Sequence, residues 1–214
     1  KTTSQTYRLD TILDIMKVPL TGDPLGAVVR VDHTVQAEEL ACDILVVGGG
    51  LGGVSSALAA ASQGHSVCLL EETDWIGGQI TSQGVSALDE HEYIEYFGGT
   101  RTYYELRENI RDHYRGLSTD SALTEPLNPG TSWVSRLSFE PSVALRTLNS
   151  MLRPAIQAGN LKVFLRTKAV ESVVEQDRVK SLKAINLDNR SPTRFRFEYL
   201  LDATELGDLL PLTG

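Results

Sequence analysis

A glycine cluster, Gly48 to Gly53, and a carboxylate about 20 residues on, Glu71, have the spacing that points most directly to chemistry. Gly48 permits a tight turn. Gly50 lets the backbone approach a pyrophosphate without a Cβ in the way. Gly53 lets a helix pack close to a strand. A helix starting at such a loop offers unpaired N–H groups and the positive end of its dipole to phosphate. An acid at the distance of Glu71 suits the hydroxyls of an adjoining ribose. The chemistry implied is dinucleotide binding, with a tight turn that binds nothing as the plain alternative.

Those residues need elements to hold them. Ile44 to Val47 is a short apolar run that reads as a buried parallel strand. Val54 to Gln63 reads as a small-residue helix, with Gly64 as its stop. Ser66 to Leu70 is a second apolar run carrying Glu71 at its end. Strand, glycine loop, Ala-rich helix, strand and terminal acid follow one another in the order a dinucleotide fold requires.

The continuation Glu71-Glu72-Thr73-Asp74-Trp75-Ile76-Gly77-Gly78-Gln79 resembles that of the glutathione-reductase-like flavoproteins, in which a Gly pair lies beside the FAD pyrophosphate. The run Trp75 to Gly84 is similar to the bacterial FAD-dependent oxidoreductase family, and Asp202-Ala203-Thr204-Glu205-Leu206-Gly207-Asp208 resembles that family's second FAD contact. Many relatives carry Gly straight after the Ala-Thr pair, where Glu205-Leu206 stand here.

The resemblance implies FAD as cofactor. The implied contacts are Gly48, Gly50, Leu51, Gly52, Gly53, Glu71, Glu72, Gly77, Gly78, Gln79, Thr81, Ser82, Ala203, Thr204, Gly207 and Asp208. It also implies backbone contact with the adenine at Val170. The reaction implied is hydride transfer from a small organic substrate to the flavin, with the flavin doing the hard step. Two alternatives stay open: an NAD(P)-binding dehydrogenase, and a non-catalytic FAD-binding subunit of a larger assembly. Asp208 reads equally as a helix N-terminal acid.

Composition sets the bounds. The chain has 214 residues, 41% of them hydrophobic, enough for a sizeable core. Its formal net charge of −8 argues against wholesale binding of nucleic acid or anionic membrane. No apolar run is long enough to span a bilayer. Cys42 and Cys68 read as small apolar fillers without Cys-x-x-Cys spacing, and no metal site is expected. The compartment is open, leaning to the cytoplasm.

Before the first core strand, Leu9 to Val18 has spacing that suits a short amphipathic helix, and Ala27 to Val31 suits an edge strand. Thr100 can cap a helix to about Arg115, with Tyr103, Leu106, Ile110 and Tyr114 as its apolar stripe. Arg107, Arg111 and Arg115 recur four apart. They read as a solvated face, given Glu108 and Asp112 beside them, or as an anion clamp. Ser118 to Ser138 reads as a long loop. Within it, Trp133 is a packing anchor or a shield for a flavin. Pro141 suits the first position of a helix over 142–157, with Leu145, Leu148, Leu152 and Ile156 buried. Leu161 to Leu165 reads as a parallel strand. Val170 to Glu175 and Val179 to Leu187 read as an antiparallel pair, and Phe195 to Leu201 as a strand running into the Asp202 motif.

The fold expected is therefore α/β: a Rossmann-like FAD-binding domain with a parallel central sheet and a β-meander crossover. Residues 1–40 are a lead segment. Residues 41–214 are the FAD-binding domain, with a helical and loop excursion at about 86–140 and an incomplete C-terminal end. A second chain or a further C-terminal segment would complete the flavin site, beside a small-molecule substrate. His91 is the one histidine on the plausible side for a catalytic base.

Overall fold

The computed structural model describes residues 4–117 and 125–214, so part of the loop expected over 118–138 lies outside the described residues. The elements in chain order are β1 (Ser4–Arg8), β2 (Thr11–Leu13), α1 (Val18–Thr21), β3 (Val28–Arg30), β4 (Glu38–Ala41), β5 (Ile44–Val47), α2 (Leu51–Ser62), β6 (Val67–Leu70), α3 (Arg101–Leu117), α4 (Pro141–Gln157), β7 (Leu161–Phe164), β8 (Thr167–Glu175), β9 (Arg178–Asn186), β10 (Pro192–Arg196) and β11 (Tyr199–Asp202). They form two compact units: Lys1–Ile76 with Ala155–Gly214, and Gly77–Pro154.

The first unit is built on a four-stranded parallel sheet in the order β11-β5-β6-β7. Its central strands are apolar on both faces. Leu45, Val46, Leu69 and Leu70 have no exposed surface, each burial being worth about 1.5–3 kcal/mol. The chain steps from β5 to β6 on one side, and the much later β11 joins β5 on the other. The order thus reverses at the C-terminal end of β5, where an open α/β sheet leaves a crevice for ligands. A second sheet, β1-β8-β9-β10-β4, carries the meander, and Cys42, Leu45, Cys68, Leu70, Ala169, Leu182 and Phe195 share one core cluster.

The lead segment differs from the sequence reading. Residues 9–18 form a strand and a turn rather than an amphipathic helix: Ile12 enters a cluster with Val29, Val170, Ile185 and Leu187, and β2 pairs with β3. An apolar spacing of three and four is shared by helices and by short strands flanked by turns, so the tertiary partners decide. β1 adds to the edge of β8, and β4 pairs in parallel with β10. The expected strand 195–201 is two strands in two sheets, broken where the N–H groups of Glu198 and Tyr199 both donate to the Asp43 carbonyl.

Glu171 ties the meander together. It is 3% exposed and accepts from Arg194 at 2.7 Å, with Arg8 at 2.9 Å and His33 Nδ1 at 3.3 Å. Burial works against its charge, yet Arg194, then Arg8 and Lys183, hold its carboxyl below the ordinary value of 4.5. A carboxyl with a depressed folded pKa stabilises above its unfolded value, and that stabilisation disappears as pH falls through the folded one. Glu171→Gln should therefore flatten the loss of stability below about pH 4.5; urea titrations at pH 3 to 6 measure it.

In the second unit, Thr100 caps α3 by accepting from Tyr103 N–H at 3.2 Å, and the helix runs through Gly116 to Leu117. The arginine face divides: Arg115 stays partly exposed and pairs with Glu108 and Asp112, as expected, whereas Arg107 and Arg111 turn inward. Arg107 is 1% exposed and Arg111 5%. Arg107 pairs with Glu90 and Glu95, while Arg111 reaches Glu95 at 2.7 Å and the Leu127 carbonyl at 2.9 Å. Tyr103 and Ser135 also bond to Glu90. The spacing was read correctly, but the carboxylates that draw these arginines inward lie in the loop before α3. α4 starts at Pro141 as expected, but buries Val143, Ala144, Thr147, Leu148 and Leu152 rather than Leu145 and Ile156. Trp133 is 94% exposed and so is not a packing anchor.

Candidate functional site: the crevice at the end of β5

Residues 48 to 53 turn the chain from β5 into α2, and at Gly48, Gly49 and Gly53 there is no room for a side chain. Gly48 has φ +102, and a Cβ there would collide with the Ala203 carbonyl. A Cβ on Gly53 would strike the Gly48 carbonyl, and one on Gly49 would meet Glu71 Oε2 at 2.7 Å. α2 begins at Leu51, earlier than the sequence reading at Val54, because Gly52 and Gly53 lie inside its first turn. Gly50 is its N-cap residue, in an extended conformation without a side-chain cap. The first N–H groups of α2 are thus left for a ligand. A Cβ on Gly52 would meet nothing within 4 Å, so open space lies over that turn.

Glu71 stands at the end of β6, 8% exposed. Its Oε2 accepts from Gly49 N–H at 2.7 Å, and its Oε1 accepts from Thr73 N–H at 2.8 Å and Thr73 Oγ1 at 2.6 Å. The carboxylate therefore fixes the glycine loop to the strand end. Three of its roughly four acceptor positions are used, which leaves one open. The loop-fixing role and Thr73 were not foreseen from sequence.

Glu72, the next residue, pairs with Lys168 Nζ, which also lies 3.4 Å from Asp208 Oδ2. Burial opposes the charge of Lys168, but Glu72 and then Asp208 outweigh it and push the ammonium above its ordinary value. Asp208 is thus an ion-pair partner and not a helix cap. Lys168 was missed in the sequence: a lysine opening a strand carries no signal of its own.

β11 delivers Asp202, Ala203 and Thr204 beside the glycine turn, with Ala203 N–H donating to the Val47 carbonyl at 2.7 Å. Asp202 Oδ1 accepts from Thr204 Oγ1 at 2.6 Å, and Thr204 Oγ1 accepts from Asp208 N–H at 2.7 Å. Gly207 follows at φ +71. Glu205 is exposed, and its Oε1 would stand 3.0 Å from a Cβ on Gly50.

Val170 requires a correction. It has no exposed surface, and its carbonyl accepts from Leu9 N–H at 2.9 Å. The lead segment has taken the backbone position expected to meet adenine.

In the second unit, Gly77 and Gly78 have φ +108 and +55, and a Cβ on Gly77 would meet Leu148 and Thr81 at 2.7 Å. Thr81 is buried, whereas Gln79 and Ser82 are exposed. His91 is exposed, and its Nδ1 accepts from Tyr93 N–H at 3.1 Å. Its ring centroid lies 5.7 Å from that of Phe97.

A crevice whose walls are glycine, a helix N-terminus and a strand-end carboxylate fits a dinucleotide. The family model of FAD dependent oxidoreductases matches residues 43–214. The chain belongs to this family. Its cofactor is therefore FAD.

Among the curated relatives of this chain, 4-oxocyclohex-2-ene-1-carboxylate 5-dehydrogenase of Sinomonas cyclohexanicum is 51% identical over 91 residues, 42% of this chain and 15% of the relative. The N,N-dimethylglycine/sarcosine dehydrogenase of Chromohalobacter salexigens is 40% identical over 87 residues, 40% of this chain and 12% of that one. The chain thus spans less than a fifth of the curated relatives it matches. Mycobacterium smegmatis Sdh1, solved in complex with UQ1, shares the fold, with a TM-score of 0.50, 12% identity, and coverage of 78% of this chain and 34% of that one. No helix among the described residues is long and apolar enough to cross a membrane.

Proposed function

We propose that this chain is the FAD-binding part of an oxidoreductase that takes hydride from a small organic substrate. A two-motif architecture like that of glutathione reductase fits this reading. The observation that carries it is the space over Gly52, bounded by glycines that admit no side chain and by the open N-terminus of α2.

When bound, FAD supplies the two-electron chemistry. The backbone of Gly50, Leu51, Gly52 and Gly53 would hold its diphosphate, by N–H groups and helix dipole. Glu71 would hold a ribose hydroxyl with its remaining acceptor position, while keeping the loop in place through Gly49. Gly48, Ala203 and Thr204 set the width of the turn. Glu72 and Asp208, joined by Lys168, are proposed as further cofactor contacts, Asp208 toward the ribitol or pyrophosphate. Gly77, Gly78, Gln79, Thr81 and Ser82 are proposed as further flavin contacts, and His91 as a candidate base. Val170 is left out, because it has no exposed surface.

The test is direct. The purified chain should carry flavin absorbance or gain it with added FAD, and a denatured extract should release FAD. Protein that neither contains nor binds FAD would count against the reading. Glu71→Ala should weaken FAD binding by about 1–3 kcal/mol, since a charge-assisted acceptor is lost and the glycine loop is freed. Fluorescence titration measures it, and unchanged affinity would remove Glu71 from the site.

A further inference from the structure

The reading above leaves one side chain unexplained. Glu205 is exposed, forms none of the ion pairs described for its neighbours, and brings Oε1 against Gly50, the residue that opens α2. The remaining carboxylates of this crevice are committed. Glu71 holds Gly49 and Thr73, Asp202 holds Thr204, and Glu72 and Asp208 share Lys168. The free space lies two residues on, over Gly52. A negative group at Glu205 therefore sits at the mouth of the place that suits a diphosphate. Opposite charge is favourable at a helix N-terminus, and like charge at close range opposes a second anion.

We propose that Glu205 is a specificity-determining residue of the diphosphate subsite. In the free chain its carboxylate acts as an internal counter-charge to the start of α2, and an incoming diphosphate has to displace it. The proposal rests on the FAD reading. Its consequence is selective: Glu205 weakens ligands that carry a diphosphate and is neutral toward those that do not. The site thereby rejects weakly held anions that lack the rest of the dinucleotide.

The experiment compares the full chain with Glu205→Gln and Glu205→Asp, using FAD, ADP and adenosine as probes. Fluorescence titration reports FAD, and calorimetry reports the other two. Glu205→Gln should bind FAD and ADP at least roughly threefold more tightly than the parent, with adenosine unchanged. Raising salt should narrow that gap by screening the exposed carboxylate. Glu205→Asp, which keeps the charge, should stay close to the parent. Equal or weaker FAD and ADP binding by Glu205→Gln, or an equal gain for adenosine, would overturn the proposal while leaving the FAD reading intact. A parent chain that binds neither FAD nor ADP would overturn both.

Discussion

Gly48→Ala is expected to lose FAD binding and to lower stability by about 2–4 kcal/mol, while Gly52→Ala loses affinity without losing stability. At Gly48 the backbone has φ +102, and a Cβ would run into the Ala203 carbonyl and stand 2.6 Å from Thr204 N. Both obstacles are backbone, so nothing flexible can move aside. Relief would mean pulling β11 away from β5. Gly52 differs, because a Cβ there meets nothing within 4 Å and the residue lies inside α2. Alanine in a helix is favoured over glycine by up to about 1 kcal/mol, so this variant should hold or gain stability. Its methyl group nevertheless enters the space assigned to the diphosphate. Thermal unfolding and FAD titration of the pair separate the two roles. A Gly48→Ala protein as stable as its parent would contradict the account of the turn. A Gly52→Ala protein with full affinity would place the ligand elsewhere.

Arg107→Ala is expected to destabilise the second unit by about 3–5 kcal/mol, the usual consequence of leaving buried charge uncompensated. The guanidinium is 1% exposed and serves both Glu90 and Glu95; Glu90 loses its cationic partner when it goes, while Glu95 keeps Arg111. Its Nε already lacks a hydrogen-bond partner, so the arrangement is held by charge and packing rather than by complete satisfaction. Burial and the bond to Glu90 push the Tyr103 phenol up, which keeps it a neutral donor to that carboxylate. Combining Arg107→Met with Glu90→Gln should recover part of the loss, since an ion pair replaced as a whole costs less than one broken in half. Urea unfolding of the single and double variants measures the coupling.

The parts of the fold that were readable in the sequence are those in which local pattern and tertiary role coincide. β5, the glycine turn, α2 and β6 lie within one short stretch, and each glycine has a local steric reason. Thr100 and Pro141 announce their helices because a cap and a first-turn proline act within a few residues. Elsewhere the deciding partners are remote. Residues 11–13 become strand because Val29 and Ile185 cover Ile12. Arg107 and Arg111 turn inward because Glu90 and Glu95 lie in a separate loop. Val170 loses its expected place because Leu9, near the start of the chain, reaches its carbonyl. Within the candidate site, the steric roles of Gly48 and Gly53 and the place of Glu71 at the end of β6 followed from their spacing. Thr73 and Lys168 did not, because their partners are fixed only once β6, β8 and the loop after β11 meet.

The pairing of strands far apart in sequence bears on biosynthesis. Ser4 faces Glu175, and Ile44 faces Tyr199, so β1 and one edge of β5 leave the ribosome well before their partners exist. At ordinary translation rates the wait is on the order of ten seconds. During it the nascent chain can complete β5, α2 and β6 but not the sheet that closes around them. Newly made polypeptide is thus most exposed to misassociation just before residues 175–214 emerge, and slower elongation or holdase binding over that interval should raise the soluble yield.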